Sequence, residues 1–95
     1  MRMTMTMIPV WTEIDGERAV DILQETREKL NGDAGDVFLD FSSVRRIDPT
    51  ALRAMEALAR RADEKAVRVV LRGVNVDVYR VLKLVKLSPR FSFVA

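Results

Sequence analysis

Asp36-Val37-Phe38-Leu39-Asp40-Phe41-Ser42-Ser43-Val44-Arg45-Arg46-Ile47-Asp48-Pro49-Thr50-Ala51-Leu52 is the stretch on which the fold turns. Its first six residues read as a short strand. Val37, Leu39 and Phe41 share one face at period two, and Phe38 and Asp40 take the other. An apolar residue on each face predicts a sheet covered on both sides. Asp40, at the strand's end, is expected at a hydrogen-bonded rim. After a short connection, Asp48 has the chemistry of a helix N-cap, because its carboxylate can accept the free amide hydrogens of a first turn. Pro49 suits the first helical position, where no amide hydrogen is needed. The helix is predicted to run to about Glu64. Ala51, Leu52, Met55, Leu58, Ala59 and Ala62 form its apolar stripe, leaving Arg53, Glu56, Arg60 and Arg61 for solvent or a partner.

The same strand-to-helix grammar repeats on both sides. Upstream, Met1, Met3, Met5 and Met7 alternate with Arg2, Thr4 and Thr6, the period of a half-buried strand, and Ile8, Val10 and Trp11 extend it. Pro9 points to an edge strand or a break. Glu13-Ile14-Asp15-Gly16 is a predicted turn, with Asp15 as a cap. A helix is expected from Glu17 to Leu30, burying Ala19, Ile22, Leu23 and Leu30 and ended by Asn31-Gly32. Downstream, Val67-Arg68-Val69-Val70-Leu71-Arg72 reads as a strand. Gly73 and Asn75 mark a turn and a cap. Val78, Val81, Leu82 and Val85 recur at helical spacing before Ser88-Pro89, and Phe91–Val94 makes a last short strand. Single strands alternating with helices across short loops imply an α/β domain with a mostly parallel or mixed sheet.

Ninety-five residues allow one domain, and 48% apolar content is enough to give it a core. The chain has neither Cys nor His. Disulfides, Cys/His metal sites, Ser-His and Cys-His nucleophile pairs and histidine switches are therefore excluded. No phosphate-cradling glycine motif is present, and Lys65, Lys83 and Lys86 all read as surface positions. No catalytic residue, cofactor or metal site is expected. Asp40 and Asp48 could be imagined as paired carboxylates, but the rim and cap roles account for both. No apolar run reaches the length of about eighteen residues that suggests a membrane span. The N-terminus lacks the continuous apolar core and the cleavage site of a signal peptide. A cytoplasmic protein without membrane insertion is the expectation.

The net charge of +2 conceals a split. Residues 1–40 carry four basic and nine acidic side chains, a balance of −5, and residues 41–95 carry twelve and five, a balance of +7. Nucleic acid is not the expected partner, since aromatics are only 6% and none is interleaved with the arginines as a stacking platform.

Residues 36–52 resemble the signature of the STAS domain, named for sulfate transporters and anti-sigma factor antagonists. That signature is a strand ending in Leu-Asp, a short connection with Val, then Ile-Asp followed by a hydroxyl residue, a small residue and Leu. Val69-Val70-Leu71-Arg72-Gly73-Val74-Asn75 and the later Val78, Leu82 and Leu87 also look like the family. The resemblance runs from about Val10 to the end. It implies a small α/β, SpoIIAA-like sandwich, with a mixed sheet and helices mainly on one face. Family members usually have a further N-terminal strand. Here Met1–Trp11 supplies about one strand's length, so that strand is missing or merged. The edge so exposed favours a homodimer or other chain pairing.

The resemblance also implies function: a non-enzymatic regulatory protein that binds a protein partner. In SpoIIAA-like antagonists a partner kinase phosphorylates the residue after the Asp matching Asp48. That residue here is Pro49, which has no hydroxyl. Thr50, one place on, is the available substitute, or simply a first-turn residue. One implied partner is an anti-sigma factor kinase. The other is the ABC ATPase of a lipid transporter, as for MlaB-like accessory subunits, which usually keep a Thr where Pro49 stands. The expected partner surface is Asp48, Thr50, Arg53 and Arg60. A small-ligand-binding or enzymatic domain is the competing class.

Overall fold

The computed structural model describes residues 10–30 and 35–94. Strand β1 (Thr12–Glu13) leads into a 3-10 turn (Gly16–Arg18) and helix α1 (Ala19–Lys29). Strand β2 (Val37–Asp40) is followed by helix α2 (Pro49–Glu64), strand β3 (Val69–Arg72) and helix α3 (Val76–Leu84). A second 3-10 turn (Ser88–Arg90) delivers strand β4 (Ser92–Val94). The strands lie in the order β1-β2-β3-β4, every pair parallel. The small α/β sandwich expected from the sequence is thus present. Its described strands are all parallel, so the mixed character is not seen among them. Residues 1–9, where the alternating methionines predicted a strand, lie outside the described residues, as does the Asn31-Gly32 helix stop.

The strand order determines where the helices go. Each crossover steps to the next strand in the same direction. Right-handed connections then send every helix to the same face. Packing agrees: Leu23 of α1, Met55 and Leu58 of α2, and Val78 and Leu82 of α3 bury against Leu39, Val69 and Leu71 of the sheet. These side chains are at most 1% exposed. The predicted stripe of α2 is realised, with Leu52 half-buried and with Ala54 added to it.

On the second face, where Phe38 pairs in register with Val70, Val70 is only 7% exposed, so that face is covered at its centre as expected. Among the described residues no helix lies over it. Phe38 is half-buried, and its ring meets Trp11 edge-on at 5.2 Å. The Arg72 guanidinium lies 4.2 Å over the Trp11 ring. Aromatic edges and an arginine's charge and stem thus do part of what a second helix layer would do. Val10 and Trp11, expected within a strand, precede one that begins only at Thr12. The first helix also begins later than expected, because Asp15 caps a 3-10 turn through Glu17 N (3.0 Å) before α1 starts at Ala19.

Candidate functional site

The described strands wind in one direction, so among them there is no point at which crossovers diverge. Those strands therefore form no crevice of the kind in which doubly wound α/β proteins hold small ligands. What remains for recognition is the outer surface of the helices and the loops that lead into them.

The start of α2 is built as the sequence predicts. Asp48 is extended (φ −89°, ψ 170°), and its Oδ1 accepts the Ala51 amide at 2.7 Å. Pro49 occupies the first turn and brings no N–H. This helix end is therefore already capped by a carboxylate, which leaves it little capacity for another anion. The connection before it is pinned from α3. Asn75 uses Oδ1 to cap that helix at Val78 N (2.7 Å), and Nδ2 to donate to the carbonyls of Val44 (3.2 Å) and Arg45 (3.1 Å). One side chain thus fixes the start of α3 and the approach to α2. The sequence shows only the cap, because the clamp spans thirty residues.

Asp40 is likewise committed to structure. Its Oδ1 accepts from Ser42 Oγ (2.6 Å) and Ser42 N (2.9 Å), and its Oδ2 accepts from Arg72 Nε (3.1 Å). The Ser42 hydrogen bonds, joined by the Arg72 charge, hold its carboxyl below the ordinary value of 3.8 against an opposing push from desolvation. A carboxylate with a depressed folded pKa stabilises the fold above the unfolded value, and that contribution is lost as pH falls through the folded one. Wild type should therefore melt above Asp40→Asn at neutral pH, with the gap closing below about pH 4. Thermal melts of both proteins from pH 7 to pH 2.5 check this; a gap constant with pH would mean that the carboxylate's charge contributes nothing.

Of the four predicted partner residues, the structure brings two together. Thr50 and Arg53 of α2 line a cleft of about 320 Å3 with Gln24 and Arg27 of α1, and Ala54 and Ala57 complete its lining. Arg60 lies seven residues beyond Arg53, about 10 Å along the helix. It lines a neighbouring hollow and pairs with Glu56 at 3.3 Å. Both hollows include Arg27 and Ala57, so they form one groove between α1 and α2. Asp48 stands outside it as a cap. Gln24 and Arg27 were not singled out from the sequence, although Arg27 shows there as a charge on the polar side of its helix. Neither Arg27 nor Arg53 has an ion-pair partner among the described residues. Among those residues no cluster of acidic side chains could hold a metal ion, and no helix is long and apolar enough to cross a membrane.

Comparison with known proteins agrees with this architecture. A crystal structure of a Thermotoga maritima protein, provisionally described as an anti-sigma factor antagonist, superposes with a TM-score of 0.64 at 20% identity, covering 90% of this chain and 74% of that one. At that identity the likeness speaks for the fold alone. A search of curated proteins finds no match. The family model described as "Mlab, STAS domain" matches residues 4–89. The chain therefore belongs to the STAS domain family.

Proposed function

We propose that this STAS domain is a non-enzymatic, cytoplasmic regulatory module that binds a protein partner through the start of α2 and the groove beside it. One observation carries the reading. The exposed side chains that gather at this surface, Thr50, Arg53 and Arg27, hold no ion pair or side-chain hydrogen bond among the described residues, whereas the nearby carboxylates Asp40 and Asp48 are spent on the fold. Free arginines on an exposed helix face suit recognition of an acidic protein surface, where they raise the association rate and select the partner. Chemistry on a small substrate has less support, since the titratable groups that line the groove among the described residues are mostly arginines and exposed, ion-paired side chains.

The partner class is an anti-sigma factor kinase, which makes the module a transcription regulator. The usual phosphorylated position is Pro49, so control by that hydroxyl is lost unless Thr50 substitutes. Thr50 is exposed, and a phosphate on it would meet Arg53 three residues on. The second partner class is the ABC ATPase of a lipid transporter, and one observation favours it: the matching family model is the MlaB one.

Purification of the tagged chain from its native cell, with mass spectrometry of what accompanies it, separates these readings. A small ATP-binding anti-sigma factor supports the first and an ABC ATPase the second. Recovery of nothing but a second copy would point to the sheet edge and overturn both. Incubation with the recovered kinase and ATP should label Thr50 and not Thr50→Val; absence of phosphate means the switch is gone.

A further inference from the structure

We infer that the cleft between α1 and α2 seats an acidic segment of the partner polypeptide, with carboxylates placed between Arg27 and Arg53. The inference rests on the reading above and adds to it the second wall, contributed by α1, and the chemistry of the occupant.

Charge distribution along the groove chooses that occupant. At the end nearest the start of α2 the lining is basic and uncompensated: Arg27 and Arg53, with Gln24 and Thr50 as neutral hydrogen-bonding groups. Farther along, Glu28 and Glu64 join Arg60 and Arg61, and Arg61 pairs with Glu64 at 3.5 Å. A uniformly negative surface, such as an anionic bilayer or a nucleic-acid backbone, would be drawn to the first end but gain little at the second, where Glu28 and Glu64 offset the arginines. A polypeptide can place carboxylates at one end and neutral or basic groups at the other. A free inorganic anion fares worse for a different reason. It needs converging donors, and the nearest helix start offers few, because Asp48 already takes the Ala51 amide and Pro49 has none. The guanidiniums of Arg27 and Arg53 each offer a planar fork that matches a carboxylate. Ala54, buried, and Ala57, half-buried, keep the cleft open between the helices, because no long side chain rises from either position.

The test is a titration of the full chain, labelled for amide NMR, with a helical peptide bearing Glu at i, i+3 and i+4 in one half and only Ala and Gln in the other. The matched peptide with Gln in place of every Glu is the control. Amide shifts should gather at Gln24, Arg27, Thr50 and Arg53, weaken as salt is raised, and be missing with the Gln peptide. Arg27→Glu and Arg53→Glu should each weaken binding, and together by about tenfold or more. Arg27→Gln should fall between wild type and Arg27→Glu. No shifts at these amides, shifts centred instead on Arg80, Lys83, Lys86 and Arg90, or equal shifts from inorganic phosphate or phosphatidylglycerol vesicles would each overturn the inference. Arg27 lies on α1, outside the helix on which the partner reading depends. If Arg53→Glu abolishes capture of the native partner while Arg27→Glu leaves it intact, the cleft is wrong and the partner reading survives. If neither substitution affects capture, both fail.

Discussion

Leu58→Ala should lower the stability of the domain by about 3 kcal/mol, within the span measured for buried leucine truncations. Leu58 is 0% exposed and lies on the face of α2 that packs on α1 and the sheet. Removing its branched end forfeits burial of apolar surface and leaves a cavity that the neighbouring Met55, Leu23 and Leu71 cannot fill without moving backbone. A domain of this size has a total stability of about 5–14 kcal/mol, so the loss is a large fraction of the whole. The melting temperature should fall by about 15 °C. Leu84→Ala is the matched control. Leu84 is 81% exposed near the end of α3, and the same truncation there should change stability by less than about 0.5 kcal/mol. Urea unfolding of both variants checks the contrast. Comparable losses at the two sites would mean that α2 does not pack as described.

How far such residues were legible depended on the range of the interactions involved. Helix α2 was readable to the residue because its start is a local event, an Asp followed by Pro, and its buried face follows from spacing. Ala54 was left out of the stripe, although it lies three residues after Ala51 and four before Leu58. The end of α3, at Leu84, was less legible than that of α2, which falls at the expected Glu64. Ala66 (φ 55°) and Lys86 (φ 62°) take the left-handed conformation just beyond α2 and α3, where chemistry favours glycine, so nothing in their identity announces the turn. The cover over Phe38 was not legible, because its partner Trp11 lies just before a different strand, twenty-seven residues away. The site divided in the same way. Thr50 and Arg53 share one helix and could be paired from spacing, whereas Arg27 joins them only once the packing of α1 on α2 is known.

Gly73→Ala should cost about 3 kcal/mol, although Gly73 is exposed and buries nothing. Two independent effects act there. Gly73 has φ +70°, a left-handed conformation that costs an L-residue with a side chain roughly 1–2 kcal/mol. A Cβ would also stand 2.2 Å from Ser42 Oγ and 3.0 Å from Ser42 N. The Ser42 backbone cannot simply withdraw. Its amide is bound to Asp40, and the preceding Phe41 amide donates to Arg72 O at 2.8 Å, so the ends of β2 and β3 are tied where the methyl group would enter. The hydroxyl alone can be removed. In a double-mutant cycle, Ser42→Ala should therefore recover part of the loss, making the pair less damaging than the sum of the two single variants by about 0.5–1 kcal/mol. The displacement should also travel. Ser42 begins the connection that Asn75 clamps and that ends at Asp48, so Gly73→Ala should weaken partner capture by the α1–α2 groove, although Gly73 lies outside it. Calorimetry and the binding assay measured on one preparation test both statements. A loss below about 0.5 kcal/mol would show that the strand ends do not approach this closely; a full loss of stability with binding unchanged would show that the connection does not position the start of α2.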